Sequence, residues 1–432
     1  MTVCVVGLWH LGTVTAACCA AAGFTVVGCD ADAAVVARLS AGVSPISEPG
    51  LDALVTRELA AGRLRFTTDL AAAVRGADVV WIAIDTPVDD DDQADVEAVV
   101  ALASEVFPSL GDGATLLVSS QVPVGTTRRL ARMFDGVAGG RQVSFAYAPE
   151  NLRLGGAIDA MTRPERIVAG VEPAEGRARL AELFGAWTQR IEWMSIESAE
   201  MSKHALNSFL ATSVAFINEI AVLCEESGAD AGDVARALKS EGRIGPRAYL
   251  SPGAAFAGGT LARDIQFLSG LASERGLDVQ LLRAVKSSND AHRLWVRRRL
   301  QTLLNGVRGK VVTVWGLTYK PGTDTLRRST ALDLCRWLSD EGATVRVHDP
   351  VVRALPPADA ARIEQYPDPV AAAAGASALV VATPWPEYRD VDVHALKSAM
   401  ARPLVLDAAS HLAKTAGAQA GIEYVTVGAV RA

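Results

Sequence analysis

The beginning of the chain constrains the fold more than any other feature. Thr2–Val6 is a short β-branched run, and the Ala-rich stretch Val14–Ala22 favours a helix. Between them lies the turn Gly7-Leu8-Trp9-His10-Leu11-Gly12. A strand that runs through a glycine turn into a helix is typical of a parallel sheet covered by helices.

This turn occupies the place of a dinucleotide-binding loop, although Trp9 replaces the middle glycine of the usual pattern. A second apolar run, 24–29, ends at Asp30, where a carboxylate would bind ribose hydroxyls and repel a 2′-phosphate. The structural alternative is a simple tight turn. We expect NAD rather than NADP, with Gly7, Trp9, His10, Leu11, Gly12 and Asp30 as candidate cofactor-binding residues.

Further along, the pattern predicts three parts. Strand-like runs at 79–84 and 115–118 extend the first sheet, whereas 195–292 is rich in Ala, Leu and Glu without a convincing strand. Strand patterns return at 310–316, 344–347 and 378–382, with a helix at 331–338. We predict an α/β protein with an N-terminal Rossmann-like NAD domain (1–195), a helical central domain (196–300) and a second Rossmann-like domain at the C-terminus (301–432).

Composition excludes several protein classes. The 432 residues are 50% hydrophobic with a net charge of −7, which is typical of a globular protein and offers no basic surface for nucleic acid. The six cysteines show no CxxC spacing and the six histidines suggest no metal site. No uninterrupted apolar run is long enough to span a membrane, so we expect a reduced, cytoplasmic protein.

Several motifs together carry a family resemblance. They are Ile84-Asp85-Thr86-Pro87, Val122-Pro123-Val124-Gly125-Thr126-Thr127, Pro149-Glu150-Asn151-Leu152-Arg153, Lys203-His204-Ala205-Leu206-Asn207, Phe216-Ile217-Asn218-Glu219, Gly316-Leu317-Thr318-Tyr319-Lys320-Pro321-Gly322-Thr323-Asp324 and Thr383-Pro384-Trp385-Pro386-Glu387-Tyr388. In this order they resemble the UDP-glucose/GDP-mannose dehydrogenase family. The resemblance covers the chain from Met1 to about His411 and implies that the C-terminal domain, 301–432, binds the nucleotide sugar.

The resemblance implies roles for individual residues. It assigns Lys203, Asn207, Asp264 and Glu150 to catalysis, and adds Thr86, Pro87, Gln121, Arg263 and Arg327 to the cofactor site. It assigns the nucleotide sugar to Asn151, Leu152, Arg153, Arg243, Tyr249, Phe256, Gly258, Thr260, Tyr319 and Lys320. Similar proteins are dimers in which the arginine matching Arg243 reaches the partner's sugar site, so a homodimer is expected.

Three departures from the family pattern concern the second half of its reaction. Family members attack a sugar aldehyde with a cysteine and hydrolyse the resulting thioester to an acid. Phe256–Asp264 contains no cysteine: Thr260 takes that position when Asp264 is aligned, and Leu261 takes it when the glycines are aligned. Gln121 replaces the threonine that helps to hold the catalytic water, and Leu154 replaces a glutamate.

The lost thiol favours a reaction that stops after one oxidation. A ketone product has no route to an acid, which indicates a secondary alcohol. Because similar proteins oxidise C6 of the sugar, the resemblance implies a sugar with further carbons, such as an activated heptose or octose of an antibiotic or surface-glycan pathway. Three alternatives stay open: a four-electron enzyme that makes a sugar acid through an aldehyde hydrate, an epimerase that retains NAD, and a non-catalytic nucleotide-sugar-binding relative.

Overall fold

The computed structural model describes residues 1–46, 48–87, 94–150, 152–173, 175–256, 259–318, 320–326 and 329–429. The chain forms two compact units, Met1–Leu206 and Asn207–Ala432. The boundary between them lies inside one long helix, so the three-domain division at 195 and 300 stays a prediction.

The first unit is built on one eight-stranded sheet with the order β3-β2-β1-β4-β5-β6-β7-β8. Its strands are β1 (Thr2–Val6), β2 (Thr25–Cys29), β3 (Leu64–Thr67), β4 (Val79–Ile82), β5 (Thr115–Val118), β6 (Ser144–Tyr147), β7 (Ile167–Glu172) and β8 (Ile191–Met194). The middle of the sheet is formed by β1, β4 and β5. The sequences of these strands are continuous apolar runs because helices cover both faces of the sheet.

Eight helices connect these strands: α1 (His10–Ala21), α2 (Ala33–Ser40), α3 (Leu51–Ala60), α4 (Leu70–Val74), α5 (Val96–Glu105), α6 (Thr126–Asp135), α7 (Ala157–Thr162) and α8 (Gly176–Gly185). Aspartates cap several helix starts, since Asp32, Asp69 and Asp95 each accept a backbone N–H from the first turn of α2, α4 and α5. The first helix begins at His10, four residues earlier than its Ala-rich sequence predicts.

The strands of this sheet that the sequence predicts are parallel, but one pair that it does not predict is antiparallel. β6 and β7 run antiparallel, with Tyr147 opposite Gly170, whereas the other pairs of this sheet are parallel. The connection contains only the six-residue helix α7, which rises about 9 Å, and β7 starts at the edge where β6 ends.

The second unit consists of a run of helices followed in the chain by a parallel sheet. The helices are α9 (Ile196–Ser227), α10 (Ala231–Ser240), α11 (Gly259–Glu274), α12 (Gln280–Arg293) and α13 (Trp295–Leu304), the first of which starts in the first unit. The strands β9 (Val311–Trp315), β10 (Thr344–His348), β11 (Ile363–Gln365), β12 (Ala378–Val381), β13 (Leu404–Leu406) and β14 (Glu423–Val425) form a sheet with the order β11-β10-β9-β12-β13-β14. Its helices are α14 (Thr330–Asp340), α15 (Pro357–Ala360), α16 (Pro369–Ala372) and α17 (Val393–Ala399). Two Rossmann-like sheets thus flank a helical segment in the chain, as the sequence predicts.

By length and composition, α9 is apolar enough to cross a membrane, and no other described helix meets that criterion. The same helix carries the buried polar side chains of Glu200, Lys203, His204 and Asn207. Long core helices of water-soluble proteins also meet the criterion, and these buried groups bind neighbouring segments of the protein, as described below.

The two sheets begin with the same local design. In the first unit, Gly7 donates its N–H to the Cys29 carbonyl and Leu8 donates its N–H to Asp30 Oδ2 at 2.7 Å. In the second unit, Gly316 donates to the His348 carbonyl and Leu317 to Asp349 Oδ2, also at 2.7 Å. In both cases, therefore, a carboxylate at the end of the second strand fixes the turn after the first strand.

Candidate active site

The turn between β1 and α1 is shaped by its two glycines. Gly7 has φ +90°, and a Cβ there would lie 2.1 Å from a side-chain carbon of Ile84. A Cβ on Gly12 would lie 1.6 Å from the Gly7 carbonyl oxygen, so helix and turn pack too closely for any side chain at this position. In a dinucleotide-binding turn the first glycine likewise makes the tight turn, and the last one lets the helix pack closely against the strand.

Trp9 fits this turn although it replaces a glycine. Its φ of −80° is available to any residue, and its side chain is 51% exposed. Trp9 is the N-cap of α1 and makes no side-chain capping bond, so it does not occupy the first amides of the helix. A helix start of this kind suits a pyrophosphate, and the residues present therefore fit the cofactor. His10 begins the helix, and Leu11 is buried beneath the turn.

Asp30 lies at the end of β2, as predicted. Its Oδ2 accepts from Leu8 and its Oδ1 accepts from the Asp32 N–H at 2.9 Å, while the side chain stays partly exposed. Asp349 in the second unit is different: it is buried and also accepts from Trp385 Nε1 at 3.2 Å. The Trp385 indole thus covers the Asp349 carboxylate, whereas a ribose can still approach the Asp30 carboxylate.

The loops after β4 and β5 are tied together beside this turn. Thr86 is buried and donates its hydroxyl to the Gln121 carbonyl at 2.7 Å, and Ser120 donates to the Ile84 carbonyl at 2.7 Å. Gln121 is buried and Pro87 is exposed. The carboxyl ends of β1, β4 and β5 therefore present Gly7, Thr86 and Gln121 at the same edge of the sheet.

Lys203 is held against the loop that follows β6. It is only 7% exposed, and its Nζ donates to the Glu150 carbonyl oxygen at 2.5 Å and lies 3.7 Å from Glu150 Oε1. The other carboxylate oxygen of Glu150 accepts the Leu152 N–H at 2.5 Å. Two of the predicted catalytic residues are thus in contact within the first unit, with Leu152 beside them and Arg153 exposed next in the chain.

Two buried side chains on either side of Lys203 anchor this part of α9. Glu200 accepts the N–H groups of Gly125 and Thr127 at the start of α6, and His204 contacts the Val122 carbonyl through Nε2 at 2.9 Å. Burial raises the pKa of Glu200 against the opposing effect of these amides. Sequence reasoning missed both anchoring residues, although they lie in and beside the Lys203–Asn207 motif.

Asn207 and Asp264 are paired in the second unit. Asn207 lies one helical turn after Lys203 in α9, and its Nδ2 donates to Asp264 Oδ2. Asp264 lies in α11 and is completely buried. A carboxylate buried this deeply is stable only when hydrogen-bonded, which the Asn207 amide provides. The spacing of i,i+4 places Lys203 and Asn207 on one side of α9.

Three polar side chains hold the segment before α11, and only one of them, Asn218, belongs to a motif named from the sequence. Asn289 accepts the Phe256 N–H at 2.9 Å and donates to its carbonyl at 3.0 Å. Asn218 Oδ1 accepts the Gly253 N–H at 2.9 Å, and His292 Nε2 donates to the Gly253 carbonyl at 2.8 Å. Phe256 is therefore fixed just before Thr260, which is exposed in the first turn of α11.

The other predicted residues of the second unit lie on several different elements. Arg243 is 89% exposed and pairs with Glu241 at 2.9 Å, and Tyr249 is 55% exposed. Arg263 is half-buried in α11, and Lys320 is half-buried after β9. Asn151, Gly258, Tyr319 and Arg327 lie outside the described residues.

A cavity of about 330 Å³ opens in the second unit beside the end of β12 and the starts of α13 and α14. Lys286, Arg293 and Arg297 line it, together with Asp290 and Asp333. Lys286 is paired with Asp290 at 2.6 Å and Arg293 lies 3.7 Å from Asp333, so two of these three cations are paired with carboxylates. Sequence reasoning missed this cavity because no local motif marks it.

Comparisons with known proteins agree along the whole chain. The NAD-binding, central and UDP-binding domain models of the UDP-glucose/GDP-mannose dehydrogenase family match residues 1–188, 197–291 and 313–414. A UDP-glucose 6-dehydrogenase of Pseudomonas aeruginosa is 37% identical over 100% of this chain and 98% of its own. One from Rhizobium meliloti is 37% identical over 99% of both chains.

A solved structure is also similar. The UDP-glucose dehydrogenase of Pyrobaculum islandicum superposes with a TM-score of 0.86 at 32% identity, and the match covers 99% of this chain and 97% of that one. Fold, cofactor turn and full-length similarity agree, and the chain therefore belongs to the UDP-glucose/GDP-mannose dehydrogenase family of NAD-dependent nucleotide-sugar oxidoreductases.

Proposed function

We propose that this enzyme oxidises a secondary C6 alcohol of a nucleotide sugar to a ketone and stops after that single two-electron step. The observation that carries the proposal is the lack of a usable thiol. Thr260 takes the position of the family's nucleophile when Asp264 is aligned, and Leu261 takes it when the glycines are aligned. Neither side chain is a thiol, and a threonine hydroxyl is a far weaker nucleophile than a thiolate.

The cysteines elsewhere in the chain do not replace this thiol. All six, Cys4, Cys18, Cys19, Cys29, Cys224 and Cys335, are buried. Burial raises the pKa of Cys18 to about 12 and, together with the Asp30 charge, that of Cys29 to about 11. Neither thiol is ionised at neutral pH, so neither offers the thiolate that capture of an aldehyde requires.

The groups needed for one oxidation are retained. NAD supplies the acceptor for the two electrons and the hydrogen that leave C6, and the hydroxyl proton passes to water. The Lys203 ammonium and the Asn207 amide would stabilise the negative charge that develops on the C6 oxygen. Asp264 orients the Asn207 amide by accepting its hydrogen bond, and the Glu150 carbonyl oxygen positions the Lys203 ammonium in the same way.

The product chemistry defines the substrate class. C6 of a hexose carries a primary alcohol, and it becomes secondary only when the sugar has further carbons. We therefore propose a GDP- or UDP-linked heptose or octose of an antibiotic or surface-glycan pathway, oxidised in the cytoplasm. A 6-ketone of this kind is a suitable substrate for an aminotransferase.

A second candidate is supported by the relatives. They are named UDP-glucose 6-dehydrogenases and are up to 37% identical over the full chain, which favours UDP-glucose as substrate. Without the thiol, that reaction would have to pass through the hydrate of the aldehyde, and it would consume two NAD for each sugar acid formed.

Product analysis separates the two candidates. Sugar nucleotides, including UDP-glucose, are screened for NADH formation, and the product is identified by mass spectrometry. We expect one NADH per sugar and a ketone lighter than its substrate by two hydrogens; two NADH and a carboxylate would refute the proposal.

Thr260→Cys serves as the matched variant in this experiment. It should yield no acid from the native substrate, because the carbon of a hemithioketal has no hydrogen left to give. Thr260→Ala should keep substantial activity, since Thr260 only shapes the pocket in this proposal.

We also propose that the enzyme is a homodimer that associates through α9. Phe209, Phe216 and Leu223 follow one another at seven-residue intervals along this helix and are 69%, 46% and 64% exposed. Such spacing places the three side chains on one face, as in helices that pair with another helix. The exposed Arg243 is available to reach a partner's sugar site.

A further inference from the structure

Glu48 is a buried carboxylate that sequence reasoning did not single out. It lies between α2 and α3 and is 7% exposed. Its Oε2 accepts the Gly155 N–H at 2.8 Å and contacts His10 Nε2 at 3.2 Å, and its Oε1 accepts the Ala157 N–H at 2.9 Å. One side chain therefore joins the start of α1 to the start of α7.

The ionised form of Glu48 is the one that suits these partners. Burial opposes its ionisation, but the Ala157 and Gly155 amides and the His10 ring outweigh burial and lower the pKa of Glu48. A carboxylate accepts all three hydrogen bonds at once, whereas a protonated acid or an amide would turn a donor toward one of these N–H groups.

The segment that Glu48 holds leads directly to the candidate catalytic pair. Residues 151–156 connect Glu150 to α7 in the chain, and Glu150 accepts the Leu152 N–H and contacts Lys203. On the other side, His10 is the first residue of α1, in the turn that fits the cofactor. Hydrogen bonds and a few residues of chain thus connect the cofactor turn to Lys203 within the first unit.

We propose that Glu48 is a positioning residue that couples cofactor binding at the β1–α1 turn to the ordering of residues 152–157. Cofactor bound at this turn fixes His10, His10 fixes Glu48, and Glu48 orders the backbone that leads to Glu150 and Lys203. By linkage, the ordered segment in turn strengthens cofactor binding. This inference rests on the proposed function only in requiring that NAD binds at this turn.

Hydrogen exchange tests the coupling with NADH as the probe. In the unaltered enzyme, saturating NADH should slow exchange in a peptide covering 155–162 by about fivefold or more, the usual lower range of such coupling. His10→Phe leaves both backbone bonds of Glu48 in place and removes only the connection to the turn. Its NADH-induced protection should fall below about twofold at its own saturating NADH concentration.

Three further variants keep the test decisive. His10→Gln can still donate to Glu48 and should recover most of the protection. Glu48→Gln should lose it, because an amide cannot accept from all three donors. Glu58→Gln is the matched control, since Glu58 on α3 is also a buried carboxylate but pairs with Arg57 of that helix and with Arg63, which lies just after it. The protection in this variant should equal that in the unaltered enzyme.

The outcomes separate this inference from the proposed function. Failure of the unaltered enzyme to bind NADH would overturn both. Normal NADH binding with equal protection in the unaltered enzyme, His10→Phe and Glu48→Gln would overturn the coupling alone. A loss of protection in Glu58→Gln of the same size would likewise overturn it, because any buried carboxylate would then suffice.

Discussion

Lys203 is the residue whose replacement tests the catalytic proposal most directly. A buried ammonium is costly unless it is paired, and this one is held by the carbonyl and the carboxylate of Glu150. The negative charge that it would stabilise appears only as the alcohol is oxidised. Lys203→Ala should therefore lower kcat by about 10²–10³-fold while changing NADH affinity little. Steady-state kinetics and NADH fluorescence titration measure the two effects.

Lys414→Ala provides the control for this substitution. Lys414 is exposed and lies outside the candidate site, so its removal should leave kcat unchanged. Near-normal turnover in Lys203→Ala would show that its ammonium has only a structural role.

Asp30 should determine the choice between NAD and NADP. Its carboxylate is partly exposed at the end of β2, where it can accept ribose hydroxyls and repel a 2′-phosphate. Asp30→Ala should weaken NAD relative to NADP by about tenfold or more, the equivalent of one lost hydrogen bond to a charged group. Asp230→Ala removes a helix cap in the second unit and should not change this ratio. Equal use of both cofactors by the unaltered enzyme would contradict the assignment.

At the scale of the elements, the position of α1 against the β1–α1 turn depends on the absence of a side chain at Gly12. A Cβ at Gly12 would lie 1.6 Å from the Gly7 carbonyl, so Gly12→Ala must push the helix away from the turn. We expect a loss of about 3 kcal/mol or more of unfolding free energy together with loss of NADH binding. Chemical denaturation and fluorescence titration measure these effects.

Gly270→Ala is the matched helical control. Gly270 lies on α11 and is exposed, and a methyl group added to it would meet no atom within 4 Å. Its replacement should stabilise the protein by about 0.5–1 kcal/mol, because alanine restricts the unfolded chain and favours helix. A similar loss at both positions would mean that the close contact at Gly12 is not what matters.

The sequence revealed the elements whose pattern is local. β1, β2, β4 and β5 are buried on both faces and were visible as apolar runs, as were β9, β10 and β12. β3, β7 and β8 were missed because they carry exposed or half-buried residues, which break the apolar run. β6, β11, β13 and β14 were missed as well: β6 and β13 are buried throughout, but runs of three or four residues are often too short to identify a strand by pattern. The antiparallel direction of β7 could not be read either, since it depends on where a connection lies in space.

The same distinction applies to the candidate site. Gly7, Gly12 and Asp30 follow a spacing that recurs in dinucleotide-binding turns, so the sequence was sufficient to find them. Glu48 and Asn289 bind backbone groups that lie 107 and 33 residues away along the chain. Their roles depend on tertiary contacts, and no local pattern distinguishes them from surface residues.

At the scale of the whole molecule, the proposed dimer makes the active site depend on two chains. Phe209→Asp places a charge on the exposed apolar stripe of α9 and should weaken association by at least about tenfold, because an unpaired carboxylate would have to be buried. Sedimentation velocity should then show monomer where the unaltered enzyme is a dimer. Val137→Asp alters an apolar residue that is 56% exposed in the first unit and should leave the dimer intact.

Complementation between variants tests whether Arg243 acts on the partner. In a symmetric dimer each site would use Lys203 of one chain and Arg243 of the other. Lys203→Ala and Arg243→Ala homodimers should both be nearly inactive. After mixing and subunit exchange, half of the dimers are hybrids, and one of the two sites in each hybrid combines an intact Lys203 with an intact Arg243. Activity should therefore recover to about a quarter of that of the unaltered enzyme. If hybrids form and activity stays at the level of the separate variants, each site takes both residues from one chain, and the proposed role of Arg243 across the dimer is wrong.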